Sequence, residues 1–133
     1  GLNTTANIIA KLKQENPVLE PLRWVDGSGL SRYNLARPSD LIRILRELAK
    51  LVPMENWQQI LPKSGQSGTL RNVRLTHGVA WAKSGSFGNT YDLSGFYRNG
   101  RGKMYVFSLM TNLANRSVTA SKTDVISLLN ALR

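Results

Sequence analysis

The sequence predicts an α+β fold: helices packed on one face of an antiparallel sheet of about three strands, with a further helix closing the chain. Three observations carry this prediction. Apolar residues recur at helical spacing through the first half, most clearly at Leu41, Ile44, Leu45, Leu48 and Val52. From Val79 the period drops to two. An Asn99-Gly100 pair then separates two strand-like runs, a strong hairpin signal. The length of 133 residues suits one compact domain, here read as a helical part over about 1–76 and a sheet with terminal helix over about 77–133.

Each element has a local reason. "NTTANIIAKLKQEN" reads as a short amphipathic helix, with Asn3 or Thr4 as cap and Ile8, Ile9 and Leu12 on one face. "PVLEP" ends it, and "LRWV" reads as a short strand entering the turn-rich "DGSGLS". "PSDLIRILRELAKLV" is the clearest helix. Pro38 suits its first turn, Asp40 favours the positive end of its dipole, and Pro53 stops it. "ENWQQILP" follows as a further helical turn or two, and "GQSGTL" is a loop leading into a short helix around Leu70. "GVAWAKSG" alternates, with Val79, Trp81 and Lys83 on one side and Ala80, Ala82 and Ser84 on the other. Gly85 to Gly88 turn the chain into "TYDLSGFYR"; "KMYVFSLMTN" is the third strand, and "SKTDVISLLNALR" the final helix, capped by Ser121.

Composition excludes several chemistries. The chain has no cysteine, so disulfides, thiol catalysis and thiolate metal sites are ruled out. It has one histidine, His77, in a turn-like setting, and eight dispersed carboxylates with no metal-ligand or glycosidase pattern. No apolar run reaches the roughly 18 residues of a membrane span. Eighteen basic against eight acidic residues give a net charge of +10, but the charges are scattered, so a basic nucleic-acid-binding module is the weakest of the readings considered. No cofactor motif is present.

What remains is Lys83-Ser84-Gly85, at the end of an alternating strand. The lysine supplies fixed positive charge and the serine hydroxyl can bind a carboxylate. The glycine leaves room for a substrate backbone along the strand, and the Ser86 N–H can point at the same space. This layout suits clamping a peptide's C-terminal carboxylate and stabilising an oxyanion. The triplet occurs earlier as Lys63-Ser64-Gly65, where no strand pattern surrounds it, and that copy reads as a loop.

"VDGSGLSRYNLARPSDLIRIL", "LPKSGQSGTLRN" and "AKSGSFGNTYDLSGFYRNGRGKMYVFSLMTN" together resemble, in order and spacing, the C-terminal part of penicillin-binding proteins of the D-alanyl-D-alanine carboxypeptidase/endopeptidase type, the low-molecular-mass class C group of peptidase family S13. The resemblance runs from about Trp24 to Asn112. It implies part of a transpeptidase-like (β-lactamase-like) domain, a periplasmic or cell-envelope location and no cofactor. It implies as ligands peptidoglycan stem peptides ending in D-Ala-D-Ala, and beta-lactams. By this resemblance Lys83 lends positive field on the nucleophile side, Ser84 binds the terminal carboxylate and Ser86 gives one oxyanion N–H. Gly85 completes the motif, and Ser31, Arg32 and Asn34 are candidates for the cleft wall. Ser67 stands where many relatives have Asp, so a role of that acid is expected to be lost.

In such enzymes the attacking serine belongs to Ser-x-x-Lys, with Ser-x-Asn beside it. No serine of this chain is followed by Lys at the third position or Asn at the second. The resemblance therefore implies a C-terminal portion, inactive alone, whose partner is the missing N-terminal part of the same polypeptide and which exposes an apolar face without it. The alternative is a noncatalytic relative that binds peptidoglycan or a partner.

Overall fold

The computed structural model describes residues 4–112, 115 and 117–132. Its elements run α1 (Thr5–Glu15), α2 (Pro38–Leu51), α3 (Met54–Ile60), β1 (Gly78–Phe87), β2 (Thr90–Asn99), β3 (Met104–Thr111) and α4 (Val118–Ala131), with 3-10 turns at Pro17–Leu19 and Gly68–Leu70. The architecture is α+β.

Thr4 caps α1, its hydroxyl accepting the Asn7 N–H at 3.2 Å. Asn3 lies outside the described residues. Of the apolar face expected on this helix, Ile9 is buried but Ile8 is exposed, because α1 leans mainly on the 3-10 turn that follows it. "LRWV" does not become a strand. Arg23 and Leu35 exchange backbone bonds of 3.0 and 2.8 Å, and the ladder stops there because the Asn34 Oδ1 takes the Val25 and Asp26 N–H groups instead.

α2 starts where expected. The Asp40 carboxylate reaches back to the Arg37 N–H and forms a two-pronged pair with the Arg37 guanidinium, all at 3.0 Å. These bonds, from the side chain and then the backbone of Arg37, hold the Asp40 carboxyl below its ordinary pKa. The stripe Leu41, Ile44, Leu45, Leu48 and Val52 is only half-buried. One flank of α2 packs on β3, while Leu41 and Ile44 line an apolar groove of about 450 Å³ shared with Leu22, Trp24 and Leu35.

The three strands form an antiparallel meander in the order β1-β2-β3. Gly95 fixes how closely β1 and β2 approach: a Cβ there would lie 2.3 Å from the Trp81 carbonyl oxygen. The first hairpin closes later than expected. β1 continues through Gly85 to Phe87, which pairs with Thr90, so Gly88-Asn89 is the two-residue loop, with Gly88 at φ +56. The second hairpin follows Asn99, whose Oδ1 gathers the Arg101 and Lys103 N–H groups at 3.1 and 2.8 Å.

Helices cover both faces of the sheet, not one. Ala80, Ala82, Leu93, Tyr97 and Phe107 share a face and form the core with Leu70, Val73 and the α4 residues Val125 and Leu129. Each fully buried aliphatic side chain there contributes about 1.5–3 kcal/mol. The opposite face carries Trp81 and Phe96, and Trp57 of α3 packs on Phe96 at 5.8 Å. Trp57 and Trp81 are thus packing residues. α4 begins before Ser121, which is buried inside it. Ser117 is the cap, accepting the Ala120 N–H at 3.1 Å, because Val118 already packs on the core and draws the helix start with it.

Candidate active-site strand

β1 is an edge strand, and its outer edge is only half covered. Ser64 donates its N–H to the Ala80 carbonyl at 2.9 Å, and Ala82 donates to the Pro62 carbonyl at 3.0 Å. The Ser64 hydroxyl accepts the Ala80 N–H at 3.0 Å. The first Lys-Ser-Gly copy is therefore no free loop. Its Ser64 is buried, its Lys63 bridges Trp81, and the segment acts as a short fourth edge for β1. Ser67 closes this segment, its hydroxyl accepting the Lys63 N–H at 2.9 Å.

The cover ends at Ala82. Because Ala80 and Ala82 turn their backbone groups outward, the two-residue period turns those of Ser84 and Ser86 the same way. Lys83 leaves the strand on the opposite face from Ser84, yet its Nζ curls round to donate to the Ser84 carbonyl at 2.5 Å. Since that carbonyl faces outward, the ammonium sits at the open edge. Lys83 makes no ion pair among the described residues. A Cβ on Gly85 would meet nothing within 4 Å, so the space over it is open. Lys83, Gly85 and Ser86 are exposed and Ser84 is half-buried. The positive charge, a hydroxyl and two outward N–H groups thus share one short stretch of strand edge.

One partner in this stretch was not anticipated. The Ser84 hydroxyl donates to the Thr69 hydroxyl at 2.7 Å. No local pattern marks Thr69, which lies 15 residues away.

The candidate wall residues divide. Arg32 reaches the strand, its guanidinium 4.2 Å from the centre of the Phe87 ring. Ser31 and Asn34 instead knit their own loop. Ser31 Oγ accepts the Tyr33 N–H at 3.2 Å, and Asn34 Nδ2 donates to the Asp26 carboxylate at 3.1 Å. The Ser28 hydroxyl and N–H bind the same carboxylate at 2.8 and 3.1 Å, and with Asn34 they hold the Asp26 carboxyl below its ordinary pKa. Asp92, the partner of Gly85 across β1 and β2, is pushed up by burial, against the pull of the Thr111 N–H. His77 is exposed at the far end of β1. Among the described residues no three His, Asp or Glu side chains gather to hold a metal. No helix among them is long and apolar enough to cross a membrane.

Comparison with known proteins places the chain as a whole in a family. The chain is 34% identical over 104 residues to D-alanyl-D-alanine carboxypeptidase DacB of Haemophilus influenzae, covering 74% of this chain and 22% of the relative. It is 30% identical over 114 residues to penicillin-sensitive carboxypeptidase A of Dictyostelium discoideum, covering 81% and 22%. The chain thus spans about a fifth of the length of these curated relatives. Its fold matches crystal structures of penicillin binding protein 4 from Haemophilus influenzae at a TM-score of 0.69 and 24% identity, over 96% of this chain and 30% of that one. A second such structure, complexed with a novel beta-lactam, matches equally well and is covered to 31%. The model of the D-Ala-D-Ala carboxypeptidase 3 (S13) family matches residues 6–132, from the first turn of α1 to the end of α4, and the chain belongs to that family.

Proposed function

We propose that this chain supplies the substrate-carboxylate and oxyanion strand of a serine-type D-Ala-D-Ala carboxypeptidase/endopeptidase acting on peptidoglycan stem peptides through an acyl-serine intermediate. The observation that carries the proposal is the uncovered edge of β1 beyond Ala82, where the Lys83 ammonium and the outward backbone of Ser84 and Ser86 converge. A peptide lying along this edge would place its terminal carboxylate near the Ser84 hydroxyl and the positive field of Lys83. The reacting carbonyl oxygen would meet the Ser86 N–H, and a donor fixed where negative charge develops is worth roughly 10²–10³ in rate. Beta-lactams, which carry a carboxylate beside a reactive carbonyl, would dock in the same way. Arg32, held against Phe87, would border the substrate beyond the turn.

The attacking serine and its lysine would come from the remainder of the polypeptide, seated over the face on which Lys83 emerges. Exposed Leu30, Tyr33, Leu35 and Phe87 offer apolar surface for that contact. The complete protein would work in the periplasm or cell envelope, and residues 1–133 alone would be inactive. The second reading, a noncatalytic peptidoglycan-binding relative, draws on the lack of Ser-x-x-Lys in these residues.

Intact mass spectrometry after incubation with a penicillin tests the proposal. The complete polypeptide should gain one acyl adduct, on a serine outside residues 1–133, and the isolated chain none. An adduct on a serine of this chain would overturn the assignment. A complete polypeptide that gains no adduct would establish the noncatalytic reading.

A further inference from the structure

We infer that Thr69 is a positioning residue for Ser84, setting the direction of its hydroxyl proton; this rests on the carboxylate-binding role proposed for Ser84. Thr69 sits in the 3-10 turn Gly68–Leu70, which is firmly held although Thr69 itself is exposed. Leu70 is fully buried in the core. Its carbonyl accepts the Gly65 N–H at 3.0 Å and its N–H donates to Ser67 at 3.2 Å. Gly68, at φ +52, lies so close to Pro62 that a Cβ would be 3.0 Å from the proline ring. A β-branched side chain on such a turn has few rotamers.

The chemistry follows from counting protons. Each hydroxyl has one proton and two acceptor sites, whereas a carboxylate only accepts. As the structure stands, Ser84 spends its proton on Thr69 Oγ1 at 2.7 Å. To bind a carboxylate, Ser84 must turn that proton outward. Thr69 must then turn its own O–H to donate to Ser84 Oγ, the reverse of the direction the structure holds. A serine that accepts one hydrogen bond is polarised to give a stronger one. Thr69 would thus help Ser84 favour ligands with a free carboxylate over the same ligands without one.

The test uses the complete enzyme and two probes, a penicillin and its methyl ester, with acylation rates read by mass spectrometry. One hydroxyl–hydroxyl bond is worth about 0.5–1.5 kcal/mol. Thr69→Val should therefore reduce the acid-over-ester preference by about 2- to 12-fold. Thr69→Ser, which keeps the hydroxyl, should restore it, and Ser84→Ala should remove most of it. A purely structural role for Thr69 slows both probes alike and leaves the ratio unchanged, which overturns the inference. If Ser84→Ala lowers the ratio and Thr69→Val does not, the inference fails while the site reading stands. If Ser84→Ala leaves the ratio intact, the site reading fails first. Thr69→Ala gives the same comparison should the valine variant not fold.

Discussion

Ser64 and Ser84 occupy the same place in two copies of one triplet, and the structure predicts opposite consequences for removing their hydroxyls. Ser64 is buried and its Oγ accepts the Ala80 N–H at 3.0 Å. Ala80 is itself fully buried, so no water can replace the lost acceptor. Leaving a buried donor unsatisfied costs about 1–3 kcal/mol. Ser64→Ala should lower the unfolding free energy by that amount, read as a shift in the urea midpoint. The Ala80 amide should also exchange its hydrogen about 5- to 140-fold faster, since each 1.4 kcal/mol is tenfold. The neighbouring bond from Ser64 N–H to the Ala80 carbonyl is untouched and keeps the segment docked. Ser84→Ala should behave in the reverse way. Ser84 is half-buried and, among the described residues, its hydroxyl bonds to exposed Thr69, so stability should stay within about 0.5 kcal/mol of wild type. An Ala80 amide that exchanges at the wild-type rate in Ser64→Ala, with an unmoved urea midpoint, would refute the reasoning.

Two further predictions follow from packing and charge. Gly95→Ala would place a methyl group 2.3 Å from the Trp81 carbonyl oxygen and 2.6 Å from the Ala82 Cα, backbone atoms that cannot swing aside; overpacking of this kind costs about 1–3 kcal/mol, and a wild-type urea midpoint would show that β1 and β2 part freely. The Asp40 carboxyl has a folded pKa below its ordinary 3.8. Its stabilising contribution is therefore fully present above that unfolded value and is lost as pH falls through the lower folded value. Acid unfolding curves of wild type should drop more steeply below about pH 4 than those of Asp40→Asn, and parallel acid limbs would remove Asp40 from the account.

Local sequence determined most of the secondary structure, because periodicity, caps and turn residues act over a few positions. Pro38, Asp40 and the spaced leucines set α2, and alternation from Val79 set β1. The motif order from "DGSGLSR" through "LPKSG" to "AKSGSF" was enough to point to the family. It was also enough to pick Lys83-Ser84-Gly85 as the copy lying on a strand. Local rules failed where a partner distant in sequence decided the outcome. Whether "LRWV" became a strand depended on Asn34, whose side chain intercepts its N–H groups. The first turn, expected over residues 85–88, fell at Gly88-Asn89 because β2 pairs with β1 as far as Phe87. The cap of α4 moved from Ser121 to Ser117 because the core draws in Val118. Tertiary contacts alone assigned Lys63-Ser64 to the edge of β1 and set Thr69 against Ser84, 15 residues apart. Such bonds follow from which edge the folded chain covers and which it leaves open, and no local pattern encodes that.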